Sequence, residues 1–139
     1  ALEHYPFKPG EKELITLDKS QDFEYRGDFL LTTHIFYNLI KNALEAITEA
    51  NRGTITIKPE LREQFNKIIF RDTAMGVNQE FVPNMFNLFE SQKITTGGGG
   101  LGLAFCKEIM QSYGGDITCN SVGGKFTEFV LRFPREKNQ

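Results

Sequence analysis

The stretch TTGGGGLGLAFCKEIMQSYGG, residues 95–115, decides how the chain is read: a glycine run passes straight into an amphipathic helical pattern that a second glycine pair stops. Gly97 to Gly100 carry no side chains to pack and reach positive φ freely, so ordering them costs much backbone entropy. A ligand that does the ordering accounts for that cost. The helix behind the run starts at Leu101, with Phe105, Cys106, Ile109, Met110 and Tyr113 on one side and Lys107, Glu108, Gln111 and Ser112 on the other. Its first turn presents unpaired backbone N–H groups and the positive end of the helix dipole, a setting suited to an anion such as phosphate. A plain linker would not need so regular a helix directly behind it. Gly97, Gly99 and Gly102 fit GxGxxG, but the preceding ESQKITT is polar and loop-like where a dinucleotide fold requires a strand. A P-loop fails as well, because Leu103-Ala104 follow Gly102 in place of Lys-Ser/Thr.

Composition narrows the function classes. The 139 residues suit one domain, and thirteen Phe supply much of a core. A net charge of −2 with interspersed signs argues against nucleic acid as a partner. Two cysteines, Cys106 and Cys119, are too few for a disulfide framework and read as structural thiols in a reducing compartment. With no signal-peptide pattern and no apolar run of transmembrane length, a cytoplasmic chain without direct membrane contact is expected.

Outward from the glycine stretch, residues 1–13 hold two prolines and a glycine and read as a lead-in segment. ELITLDK is expected as a short strand and FEYRGD as a second, with Gly27-Asp28 turning the chain into a helix from Leu30 to about Ala50. That helix has a broad apolar face of Ile35, Leu39, Ala43, Ala46, Ile47 and Ala50, joined by Phe36, Ile40 and Leu44, and Arg52-Gly53 is expected to close it. TITIKPEL and NKIIFRD read as a β-branched hairpin ending on Asp72; DTAMGVNQ is turn chemistry, and FVPNMFNLFE suits a turn of helix interrupted by Pro83. Gly114-Gly115 stops the second long helix, and DITCNSV and FTEFVLRF pair across Gly123-Gly124. The expected architecture is a two-layer α/β sandwich: a mixed, mostly antiparallel sheet packed on about three helices. The long segment from Asn87 to Gly100 reads as a functional lid.

Three polar features interrupt these apolar elements: Asn38 and Asn42 on the first long helix, Asp72 and Gly76 at a strand end, and the glycine loop. His34, Asn38, Asn42, Glu45 and Glu49 are spaced by four, four, three and four, so they form one narrow stripe along that helix. Any one buried asparagine is adequately explained as hydrogen-bonded core polarity. Together the three features suit a nucleotide site, because Mg²⁺ takes oxygen ligands and is usually held by one or two protein groups plus substrate phosphates.

The order of these motifs resembles the catalytic ATP-binding domain of sensor histidine kinases, within the GHKL superfamily shared with type II topoisomerase ATPase subunits and MutL repair proteins. HIFYNLIKNALEAI is similar to the N box, DTAMGV to the first glycine box, FNLFESQK to the F box, TGGGGLGLAFCKEIM to the second glycine box, and GGKFTEFVLRFP to the last box and final strand. The likeness covers about residues 14–134, and FYNLIKNALEAI, LGLAFCKEIM and TEFVLRFP are similar in particular to hybrid kinases of the quorum-sensing kind.

The resemblance implies a Bergerat ATP-binding fold with a flexible lid, residues 1–13 leading in from an acceptor-helix domain, residues 14–134 forming the catalytic domain and residues 135–139 a tail. It implies ATP and Mg²⁺ as cofactors. Asn42 would hold Mg²⁺ against the ATP phosphates, with Asn38 on the same face and Lys41 at a basic position that reaches phosphate. Asp72 would accept from the adenine amino group, with Thr127 supporting that end of the pocket. Gly76 and the glycines at 97–102 would let backbone approach the nucleotide, among them Gly98, with Gly100, Leu101, Gly102 and Leu103 at the phosphate end. Lys93 would reach phosphate from the lid, and Phe86 and Phe89 would anchor it. The partners implied are the dimerisation and histidine-acceptor domain of the same kinase and a response-regulator receiver domain.

Hydrolysing members of the superfamily carry a glutamate where this chain has Asn38, and an amide cannot act as a base. Phosphoryl transfer to a protein histidine therefore fits better than ATP hydrolysis. Neither His4 nor His34 lies in a segment resembling the acceptor motif, so the acceptor is expected on another domain of a larger kinase. Two departures stand out: Ala74 replaces the usual glycine two residues after Asp72, and Ser91-Gln92 replace the usual threonines before Lys93. A methyl at Ala74 that crowded the base or forbade a positive φ would lower nucleotide affinity and favour a rival reading, a degenerate docking module.

Overall fold

The computed structural model describes residues 5–18, 23, 25–62, 64–76, 80, 82–86 and 99–135. Five strands form one sheet in the order β1-β2-β3-β5-β4: β1 is Ile15–Leu17, β2 Ile55–Glu60, β3 Phe65–Asp72, β4 Asp116–Val122 and β5 Phe126–Pro134. β1 runs parallel to β2 and the remaining pairs are antiparallel. One face of the sheet packs against α1, Phe29–Ala50, and α2, Gly99–Ser112. The chain is therefore the two-layer α/β sandwich that the sequence predicts.

Period-two alternation builds the layer between sheet and helices. Phe70 of β3 stands opposite Phe129 of β5, and Ile117 of β4 opposite Leu131. These side chains meet Ile35, Leu39, Ile40, Ala43, Leu44 and Ile47 of α1 and Leu103, Cys106, Ile109 and Met110 of α2 in one core. On the other face of the sheet, Arg71 pairs with Glu128 at 3.1 Å while its guanidinium lies 4.0 Å from the Phe126 ring centroid. Burial pushes both thiols, Cys106 and Cys119, up to about 12, so they behave as the packing groups the sequence suggests.

The helix ends show how local chemistry sets the boundaries. Asp28 caps α1 by accepting from the Leu31 N–H at 3.0 Å. The stop is Asn51, in the left-handed conformation at φ 57°, and the Arg52 N–H reaches back to the Ile47 carbonyl at 3.3 Å. The expected closure at Arg52-Gly53 is thus one residue late, because asparagine tolerates the left-handed turn that glycine was expected to supply. At the end of α2 the Gly115 N–H bonds to the Met110 carbonyl and the Gly114 N–H to that of Gln111, both at 3.0 Å, a Schellman closure.

Other expectations need correction. Among the described residues there are two α-helices, not about three: around Pro83 the chain makes only a 3-10 turn, Val82–Asn84, since proline cannot donate to a continuing helix. The described part of FEYRGD joins no strand. Side chains hold it instead, with Tyr25 against Phe133 at 4.6 Å between ring centroids. The Asp28 N–H donates to the Tyr113 hydroxyl at 3.1 Å, tying the start of α1 to the end of α2. Phe105, expected on the buried side of α2, is 42% exposed, with its ring edge-on to His34 at 5.2 Å.

Candidate functional site

Strand register gathers the first part of the site. Asp72 is the last residue of β3, Thr127 stands opposite it on β5, and Ser121 stands opposite Thr127 on β4. All three are buried, on the side of the sheet that faces the helices. The Ser121 hydroxyl donates to the Phe126 carbonyl at 2.8 Å and lies 3.4 Å from the Thr127 hydroxyl. The Ala74 N–H donates to Asp72 Oδ1 at 3.2 Å. Burial raises the Asp72 carboxyl to about 6, and the Ala74 hydrogen bond lowers it only in part. A buried carboxylate at such a position costs stability when charged, which suits a group that waits for a hydrogen-bond donor.

Ser121 is the member of this row that motif reading missed. Its signal was present, since alternation along DITCNSV places it with the core residues Ile117 and Cys119.

The turn after Asp72 is seated on the β4–β5 hairpin. Gly76 has φ 71°, and an added Cβ would lie 2.1 Å from the Val122 carbonyl oxygen. Glycine is therefore required here by backbone packing, whatever binds nearby. Ala74 is fully buried in the core, and the single non-glycine residue at positive φ among the described residues is Asn51. The methyl that separates this chain from the usual glycine box thus packs inward at an ordinary backbone conformation.

The second part of the site lies where α1 meets α2. Asn38 and Asn42 are both half-buried, with Asn42 one turn nearer the end of α1 that carries Arg52. Asn38 Nδ2 donates to the His34 carbonyl at 2.9 Å. A Cβ built on Gly102 would meet Asn38 Oδ1 at 2.1 Å. The expected N-box asparagine and the expected glycine helix therefore touch. Because the conflict is with the far end of a side chain, Gly102→Ala is expected to fold normally, with stability within about 1 kcal/mol of the parent, while displacing Asn38. Parallel thermal melts and ATP titrations check this, with affinity falling and the melting temperature nearly unchanged.

Lys41 is exposed on α1, Gly100 and Leu101 form the first turn of α2 with Gly102, and Leu103 is fully buried in the core. Phe86 packs edge-on against Phe129 at 6.1 Å, with the Lys107 ammonium 5.0 Å from its ring centroid. Lys93, Gly98 and Phe89 lie outside the described residues. No cluster of three or more His, Cys, Asp or Glu able to hold a metal occurs among the described residues. The neutral amide oxygens at Asn38 and Asn42 fit Mg²⁺ only as part of a donor set completed by phosphate oxygens and water.

The chain is similar to known proteins over most of its length. A family described as histidine kinase-, DNA gyrase B- and HSP90-like ATPase matches residues 27–137. The chain is 38% identical over 136 residues to the autoinducer 1 sensor kinase/phosphatase LuxN of Vibrio campbellii, covering 96% of this chain and 16% of that protein. It is 34% identical over 136 residues to the CAI-1 autoinducer sensor kinase/phosphatase CqsS of Vibrio cholerae, covering 97% of this chain and 19% of that one. It is also 32% identical over 111 residues to the sensor histidine kinase WalK of Bacillus subtilis, covering 77% of this chain and 18% of the relative. The chain thus spans less than a fifth of each of these relatives, which are far longer proteins.

Proposed function

The chain belongs to the histidine kinase-, DNA gyrase B- and HSP90-like ATPase family, and from that membership we propose that it serves as the ATP-binding catalytic domain of a sensor kinase, passing the γ-phosphate to a histidine on a separate domain. The observation that carries the reading is Asn38, which lies against Gly102 at the phosphate end of the site and offers an amide where hydrolysis would need a base.

Asp72, held by the Ala74 N–H and flanked by Thr127, orients the adenine. Asn42 and Asn38 face the phosphates across the first turn of α2, whose free N–H groups and dipole favour anionic oxygens. Mg²⁺, held by the Asn42 amide oxygen with phosphate and water, would offset charge on the transferring group. The rest of the work is positioning, since phosphoryl transfer depends on alignment and charge stabilisation. Residues 14–134 form this catalytic unit, with residues 1–13 leading in from the acceptor-helix domain and a receiver domain as the downstream partner. No helix among the described residues is long and apolar enough to cross a membrane.

Nucleotide binding without turnover tests the proposal. Mg-ATP is expected to raise the thermal midpoint of the chain while phosphate release stays at the background of a protein-free blank. Steady release that scales with protein concentration would overturn transfer and favour an ATPase of the repair or topoisomerase type.

A further inference from the structure

We propose that Arg52 is a positioning residue for base recognition, a role that rests on the reading of Asp72 as the adenine acceptor. Arg52 directly follows the left-handed stop of α1 and is exposed, so nothing in core packing demands an arginine there. Its guanidinium nevertheless makes two directed contacts: Nε donates to the Ala74 carbonyl at 3.2 Å and Nη2 to the Gly124 carbonyl at 2.8 Å.

Each carbonyl belongs to a part of the base site. Ala74 is the residue whose N–H holds the Asp72 carboxylate, so Arg52 grips one side of a residue whose other side orients the carboxylate. Gly124 lies in the turn between β4 and β5, three residues before Thr127, and its N–H bonds back to the Met75 carbonyl. Arg52 thus fixes the Asp72 turn and the Thr127 hairpin relative to each other. The neighbouring chain supports the same alignment: the Thr73 N–H donates to the Thr54 carbonyl at 3.0 Å, and the Thr54 N–H to the Thr73 hydroxyl at 2.9 Å. A planar guanidinium can serve two diverging carbonyls from one side chain, which a lysine ammonium does less well.

A fold staple and a base-positioning residue differ in what they do to discrimination. Inosine diphosphate carries a carbonyl where adenosine diphosphate carries the 6-amino group, so the ratio of their dissociation constants reports the Asp72 contact. Calorimetric titrations of the 139-residue chain with each nucleotide compare the parent, Arg52→Ala, Arg52→Lys and Asp72→Asn. Asp72→Asn should collapse the preference for adenine, which tests the underlying reading alone. Arg52→Ala should weaken adenosine diphosphate about fivefold, less than the full worth of two hydrogen bonds from a charged donor because the ligand feels only their share in aligning Asp72, and leave inosine diphosphate nearly unchanged, with Arg52→Lys intermediate. Equal weakening of both nucleotides by Arg52→Ala, or no change in either, overturns the proposal while Asp72 keeps its role. An unaltered preference in Asp72→Asn removes the base-recognition reading and the Arg52 proposal with it.

Discussion

Asn42→Ala is expected to lower Mg²⁺-dependent ATP affinity by about 100-fold or more, because it removes an oxygen ligand outright and exceeds the 10- to 100-fold typical of losing a ligand's supporting partner. No cluster of three or more His, Cys, Asp or Glu stands ready for a metal among the described residues, and in the proposed site the Asn42 amide would be the protein's oxygen ligand. The fold should survive, since Asn42 is half-buried beside the core and alanine is a better helix former than asparagine. Titration in excess EDTA supplies the control: the parent without Mg²⁺ should behave like the variant with it. Equal affinity of parent and variant in Mg²⁺ would remove Asn42 from the site.

Asp72→Asn should weaken ATP binding more than tenfold and at the same time stabilise the nucleotide-free chain. The two effects have one cause. Burial raises the folded-state carboxyl to about 6 from its ordinary value of 3.8, so the charged form is disfavoured by folding. Stability contributed by the protonated group is therefore fully present below about pH 4 and is lost as pH rises through about 6. At neutral pH, asparagine avoids a penalty on the order of 3 kcal/mol and its amide oxygen can still accept from the Ala74 N–H. Binding should show the opposite dependence in the parent. Affinity should fall as pH drops below about 6, when the acceptor becomes protonated, and that pH dependence should vanish in Asp72→Asn. Chemical denaturation at several pH values, with titrations alongside, measures both. Destabilisation by Asp72→Asn at neutral pH would show that the carboxylate is structural.

This pairing of lost binding with gained stability distinguishes a site residue from a packing residue, which would lose both. It also bears on the rival picture of a degenerate docking module. That picture was motivated by Ala74, and the fully buried Ala74 packs its methyl into the core.

Long-range organisation was legible in the sequence wherever a motif carried its own geometry. The spacing of Asn38 and Asn42 placed them on one face of α1, and the β-branched run NKIIFRD placed Asp72 at the end of its strand. Thr127 was expected at the adenine end only through family resemblance, and register puts it directly opposite Asp72. What the sequence withheld were features set by tertiary contacts. FEYRGD alternates like a strand, yet its described part is fastened by Tyr25 and Tyr113 side chains. Gly76 is a ligand-approach glycine by resemblance, while its nearest constraint is the Val122 carbonyl. Arg52 looked like a helix-terminating charge, and only the fold shows that its two acceptors flank the base site. Carbonyl acceptors leave no trace in composition or spacing, so such a residue becomes visible only once the turns are placed.

The helix behind the glycine run acquires a defined partner in the same way. It begins at Gly99, two residues earlier than expected, and Gly102 rests against Asn38. A calorimetric titration of the 139-residue chain with ATP in Mg²⁺ tests most directly that α1, the Asp72 turn and this helix form one nucleotide site. Saturable one-to-one binding that disappears in EDTA is the predicted result, and the absence of saturable binding in Mg²⁺ from a chain shown by circular dichroism to be folded would contradict it.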